Sequence, residues 1–446
     1  MKLKLVAVLF FAFVSIKAFT QDVFSLQDCI ELGLRNNLNV QRARLNAELA
    51  KQDLVSAKGQ HLPSVNLFLQ SDFNFGRTID PFTNTFATDE VRSDAYGIQG
   101  RWDIFSGASR YNRYKQANMG VAASRYDSDK ARNDVSLNIT SAYLQILFNQ
   151  ELLSIAEQQV NLSQGQVKRS KQFVAAGRIS KGDLLDLEAQ LAREELNVVN
   201  ASNNLDISKL RLLLIMRVDS IEDFSVQKPI LNVEDLQKNE ATSSFIYYKA
   251  LESLPEIKSA EIKYEASEKG LNAERGRISP TISLRGSVGS GYSGKNIDFT
   301  TGQTKDFGTQ VTDNFNQSIG VSLTMPILNS LSTHTAVSRA KVTQEIRAVE
   351  LQQAKNQVNE TVKQAYFDAN ASKKKYEANV KAVQAIKESF KYATKRYEVG
   401  NINGVEYNQS KTNLARAEAD LVQAKYDYLF KFKILEFYQG KPLTLK

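Results

Sequence analysis

Polar and apolar residues alternate along four segments of about ten residues each, the length that crosses a membrane as a tilted strand. In the first, Val65, Leu67, Leu69, Phe73 and Phe75 fall on one side, and Asn66, Gln70, Asp72 and Asn74 on the other. The second sets Tyr96, Ile98, Trp102 and Ile104 against Gln99, Arg101 and Asp103. The third opposes Ile282, Leu284 and Val288 to Thr281, Ser283, Arg285 and Ser287, and the fourth Ile319, Val321, Leu323, Met325 and Ile327 to Ser318, Ser322 and Thr324. Such a dyad suits a transmembrane β-barrel or a half-buried soluble sheet. Strands are expected at about 64–76, 94–105, 281–292 and 315–327.

Between the strands the period changes. Every seventh residue from Ile139 is apolar: Ile139, Ile146, Leu153, Val160, Val167, Val174. The counterpart series is Val362, Ala369, Tyr376, Val383, Phe390, Tyr397. The intermediate positions Gln150, Glu157, Gln164 and Lys171 are polar. Half a seam makes a poor isolated coiled coil, and fits a helix with neighbours on two sides and one wet face. Helices are expected at about 26–60, 107–175, 182–217, 244–278, 330–398 and 404–438. A helix of about 68 residues is roughly 100 Å long, and the two shorter helices of the first half together match it.

The pattern occurs twice. Leu62-Pro63-Ser64 corresponds to Ser279-Pro280-Thr281, and Leu38-Asn39-Val40 to Pro255-Glu256-Ile257, at one and the same offset. Ala142-Tyr143 corresponds to Ala365-Tyr366 at an offset larger by six, and so does Leu191-Ala192-Arg193-x-Glu195 to Leu414-Ala415-Arg416-x-Glu418. One loop of the second copy is therefore longer by that difference. This is a tandem duplication of a strand-helix unit. It implies a signal peptide at 1–20, a first repeat at 21–217, a linker at 218–243 and a second repeat at 244–446. Each repeat breaks its long helical run at a glycine, Gly177 and Gly400.

Composition narrows the function. The first residues carry Lys2 and Lys4, an apolar run from Leu5 to Ile16, and the small-x-small Ala18-Phe19-Thr20, a secretory signal peptide cut before Gln21. Cys29 lacks the context of a lipid-anchored cysteine. The net charge is +8, and without the three lysines of residues 1–20 it is +5, with both signs interspersed. Lys373-Lys374-Lys375 reads as a solvated helix face, so no nucleic-acid partner is expected. Two histidines, His61 before a Leu-Pro turn and His334 in a Ser/Thr-rich loop, and one cysteine give no metal cluster, no intrachain disulfide and no catalytic constellation. An enzyme is not expected, nor a cofactor. No later segment is apolar enough for a transmembrane helix.

Four strands cannot close a barrel, and an open edge is not tolerated in lipid. If these strands span a membrane, several chains share one barrel, and three chains supply twelve strands. The loops at 76–93 and 289–314 then face outside.

With these features the chain resembles the TolC-like outer-membrane efflux protein family. The resemblance rests on the duplicated Leu-Pro-Ser and Ser-Pro-Thr entries to the strands, the Asn-Leu-Asn-Val and Leu-Pro-Glu-Ile helix motifs, and the two glycine breaks. The tip Phe-Val-Ala-Ala-Gly-Arg-Ile-Ser-Lys-Gly-Asp-Leu-Leu-Asp looks much like the family's hairpin turn. The resemblance implies a mainly α protein with β strands: a homotrimer with a 12-stranded β-barrel in outer-membrane lipid and a long α-helical barrel in the periplasm. A collar would come from about 218–243 and the C-terminal residues. The trimer would be the passive exit duct of a tripartite efflux or type I secretion system. Its partners would be a periplasmic adaptor protein and, through it, an inner-membrane pump of RND, ABC or MFS type.

The glycine breaks would be tips at the periplasmic mouth. Gly177, Arg178 and Ile179, with Gly400, Asn401 and Ile402, would touch the adaptor. By position, Asp183 matches a family aspartate, Tyr397 a tyrosine that holds the closed state, and Glu406 an acidic constriction residue. Gln409 replaces a second acid, and Ile402 stands where an arginine would latch the mouth. The acidic ring is thus thinner here. Asp183 and Glu406 also suit plain helix N-terminal charges. A periplasmic adaptor or a structural coiled-coil envelope protein is the competing reading. Two complete hairpins, each preceded by amphipathic strands, argue against both.

Overall fold

The proline of Leu254-Pro255 cannot continue a helix, because it lacks an N–H and forces the residue before it into extended backbone. In the computed structural model, which describes residues 23–88, 90–219, 224–229, 241–298 and 300–444, Leu254 is extended (φ −74°, ψ 128°) and Pro255 opens a new helix. Asn37, its counterpart in the first repeat, is extended in the same way (φ −69°, ψ 127°). The single helices expected at 26–60 and 244–278 are therefore pairs, broken at equivalent positions.

The first repeat runs β1 (Val23–Phe24), α1 (Leu26–Asn36), α2 (Leu38–Gly59), β2 (Ser64–Asn74), β3 (Thr78–Ile79), β4 (Phe86–Ala87), β5 (Val91–Ser106), α3 (Ser109–Ala175) and α4 (Lys181–Met216). After β6 (Ser225–Val226) the second runs α5 (Ser243–Ser253), α6 (Pro255–Gly276), β7 (Thr281–Ser293), α7 (Phe307–Asp313), β8 (Asn316–Thr324), α8 (Ser332–Glu398) and α9 (Gly404–Tyr438). Helices α3 and α8 have 67 residues each, as expected of a duplication. His334 lies in the first turn of α8, not in a loop. The signal peptide at 1–20 and most of the 218–243 linker lie outside the described residues. Among the described residues, no helix is long and apolar enough to cross a membrane. Two compact units result, one of residues 39–131 and 244–362, the other of 1–38, 132–243 and 363–446. Each draws on both repeats.

The first unit holds the sheet, antiparallel in the order β2-β5-β7-β8. The expected alternation is realised in its register. Leu67 pairs with Ile98 and Ile98 with Val288, while Asn66 pairs with Gln99 and Gln99 with Ser287. A bulge between Asp103 and Phe105 lets β5 bend near its C-terminal end. The apolar side is open: Val65, Leu67, Leu69, Ile98, Trp102, Val288, Val321 and Leu323 are exposed, and Ile319 is 81% exposed. Trp102 Nε1 donates to the His61 carbonyl at 2.9 Å. The two long loops are not featureless, for β3 and β4 form a small hairpin in one and α7 lies in the other.

The second unit is helical. Ile139, Tyr143, Ile146, Leu147, Leu212 and Met216 are fully buried in it. The heptad residues Ile139, Ile146 and Val167 are buried, and Leu153, Val160 and Val174 half-buried. Strands β1 and β6 pair in parallel through Val23–Ser225 and Phe24–Val226. The Tyr143 hydroxyl donates to the Gln227 carbonyl at 2.6 Å, with the Phe24 carbonyl at 3.2 Å, and so ties this pair to α3. Burial pushes the Cys29 thiol up to about 12, with Asp28 adding to the shift, so it is an inert core residue.

Candidate functional site

Both hairpin tips are built by one local rule. A helix must satisfy its last carbonyls, and a residue in left-handed backbone lets the chain fold back to do so. Gly177 has φ +67° and Gly400 φ +78°. Arg178 N–H reaches the Phe173 carbonyl at 2.9 Å and Gly177 N–H that of Val174 at 3.0 Å. At the second tip Asn401 N–H reaches the Arg396 carbonyl at 2.8 Å and Gly400 N–H that of Tyr397 at 3.0 Å. Ser180 and Asn403 then cap the returning helices by accepting from the N–H of Asp183 (3.0 Å) and Glu406 (2.9 Å). Asp183 closes a capping box, accepting from the N–H of Ser180 at 3.2 Å. Its carboxylate is thus engaged in the helix start. The Glu406 carboxylate is exposed.

The tips enclose a cleft of about 440 Å³. Of the residues expected there, Arg178, Ile179, Asp183, Tyr397, Gly400 and Ile402 line it. Gly177, Asn401, Glu406 and Gln409 do not. Phe173, Asp186, Glu398 and Asn408, which were not expected, do. Three carboxylates (Asp183, Asp186, Glu398) thus stand against one guanidinium. That guanidinium, Arg178, stacks over the Phe173 ring at 4.8 Å. Tyr397 stacks on buried Tyr407 with centroids 4.8 Å apart, and Phe390 packs on the same ring at 5.6 Å. Burial raises the pKa of the Tyr407 hydroxyl.

Deeper in the same helices lies a buried polar cluster. Lys411 of α9 donates to Glu194 of α4 at 2.7 Å and to the Ser163 hydroxyl of α3. Ser163 donates to the other Glu194 oxygen at 2.6 Å, and Gln190 adds a bond at 2.9 Å. Each oxygen and the ammonium has a hydrogen-bond partner, which lets an ion pair survive where Lys411 is only 2% exposed.

Similar chains have related architecture. The chain is 26% identical over 317 residues to the outer membrane protein TolC of Escherichia coli (strain K12), covering 70% of this chain and 62% of that one. It is 21% identical over 395 residues to the outer membrane efflux protein BepC of Brucella suis biovar 1, covering 88% and 80%. Its fold superposes on the Campylobacter jejuni CmeC outer membrane channel with a TM-score of 0.75 at 20% identity, covering 94% and 87%. The sheet, the paired hairpins and their order are thus those of a TolC-like channel. Residues 29–216 and 246–440 both match the sequence profile of the outer membrane efflux proteins, and the chain belongs to that family, whose members sit in the outer membrane and extend into the periplasm.

Proposed function

We propose that three copies of this chain form a passive exit duct. Each contributes four strands to a twelve-stranded barrel and four helical segments to a tunnel. The observation that carries this reading is the sheet: its apolar side is exposed to 81% at Ile319, and β2 and β8 are open edges among the described residues. An exposed apolar sheet with two free edges is stable in lipid only when the edges pair with further copies.

The tips are the periplasmic mouth. Gly177, Arg178, Ile179, Gly400, Asn401 and Ile402 form the turns that an adaptor would grip, and the adaptor links the duct to an inner-membrane pump of RND, ABC or MFS type. Asp183, Tyr397, Glu406 and Gln409 set the constriction. Asp186 joins them, for it lines the cleft and is the first-repeat counterpart of Gln409. Three-fold repetition of these carboxylates favours cations at the mouth. Planar-bilayer recording tests the duct. Purified protein should give discrete channels whose cation preference falls in an Asp183→Asn, Asp186→Asn variant. A protein that never conducts would contradict it.

A further inference from the structure

Arg101 of β5 and Arg285 of β7 are direct cross-strand partners on the polar side of the sheet. Their rung reads Ser64, Arg101, Arg285, Gly320, so neither flank brings a compensating charge. Like charges directly opposite one another destabilise a strand pair. The nearby acids are already engaged. Asp103 accepts from Arg101 Nε at 2.9 Å, from Ser283 Oγ at 2.6 Å and from Arg110. Glu274 holds Arg113 at 2.9 Å and Arg277 at 2.8 Å. Arg285 is exposed, and among the described residues no carboxylate pairs with it.

Two hollows share Arg101 and Arg285, one of about 580 Å³ and one of about 630 Å³. Arg110, Arg113 and Arg277 line the first as well, and no carboxylate lines either. Gly320, beside Arg285 on the same rung, leaves space there, since a Cβ at it would meet nothing within 4 Å, while Gln99, Ser287 and Ser64 supply neutral hydrogen-bonding groups. A planar guanidinium holds an oxyanion through two parallel N–H bonds.

We propose that this arginine cluster is an oxyanion-binding site, taking the carboxylate, sulfonate or phosphate groups of anionic solutes. Its place on the polar side makes it part of the lumen, which rests on the duct reading. Its charge is opposite to that of the tip cleft.

Calorimetric titration of citrate into the full-length protein, in uncharged detergent at low salt, tests the site. Citrate should bind, more weakly as KCl is added. Arg285→Gln should weaken binding about 10-fold or more, the loss of one charged hydrogen-bonding group, and Arg285→Lys should restore part of it. Arg285 is exposed, so the variant's native mass and circular dichroism should match the parent. No citrate binding, or equal binding by Arg285→Gln, would overturn the proposal. So would loss of binding to phosphatidylglycerol vesicles in Arg285→Gln without any binding of citrate, since the cluster would then read a lipid headgroup. Conductance separates this from the duct. A conducting protein that ignores citrate keeps the duct and loses the site. A protein that binds citrate through Arg285 without conducting keeps the site and loses the duct.

Discussion

Lys411 and Glu194 form a buried ion pair at 2.7 Å, joining two helices from different repeats. Both side chains are buried, so each charge is tolerable only while the other is present. Lys411→Met should destabilise the protein by about 3–5 kcal/mol, because it strands the Glu194 carboxylate. Adding Glu194→Leu to that variant should restore most of the loss. Thermal unfolding followed by circular dichroism checks this. A single variant as stable as the parent would show that the pair contributes nothing.

Gly177 and Gly400 hold left-handed backbone, and a Cβ at either would meet nothing within 4 Å. The cost of Gly177→Val or Gly400→Val is therefore backbone strain, roughly 1–2 kcal/mol, confined to the tip. Export by cells should fall while the amount and native mass of the assembly stay unchanged. Unimpaired export by both variants would mean that these turns are not the contact that matters.

Arg217 ends α4 in the same left-handed conformation (φ 56°, ψ 50°). Its counterpart in the second repeat, Gly440, does so at the end of α9. The second repeat thus has the residue that suits the turn, and the first does not. Arg217→Gly should stabilise by about 0.5–1 kcal/mol. A fall in melting temperature would reveal a function for the Arg217 side chain.

Glu151 responds to pH. Burial alone would raise its pKa, but the Tyr426 hydroxyl at 2.9 Å and the ammonium groups of Lys425 (3.3 Å) and Lys228 (3.2 Å) outweigh it. The carboxyl is held below the ordinary value of 4.5. A depressed folded value means that the stabilisation is present above the unfolded pKa and is lost as pH falls through the folded one. Wild type should melt above Glu151→Gln at pH 7. The gap should narrow as pH drops below 4.5, and a gap that widened there would refute the assignment.

Much of this was legible in the sequence. The strand dyads pointed to the sheet because period-two patterning survives wherever one face is apolar, as at Leu67 and Asn66. The glycine tips were legible because few residues other than glycine suit that conformation. The break at Asn37 was not, since neither glycine nor proline marks it. Its counterpart at Pro255 carried the signal, and transferring it back through the offset between the repeats would have found both. Asp186 could have been found from Gln409 in the same way. Lys411 could not: on its own helix it looks like a solvated charge, and its partner Glu194 lies in the other repeat, far away in the chain. The hairpin β3–β4 and helix α7 are too short to show a period.

The central claim is that three chains share one barrel. Native mass spectrometry of the protein, extracted from outer membranes in mild detergent, tests it most directly. The account predicts a mass of three chains that persists through several gentle detergents. A stable monomer, or protein found only in the soluble fraction, would contradict it.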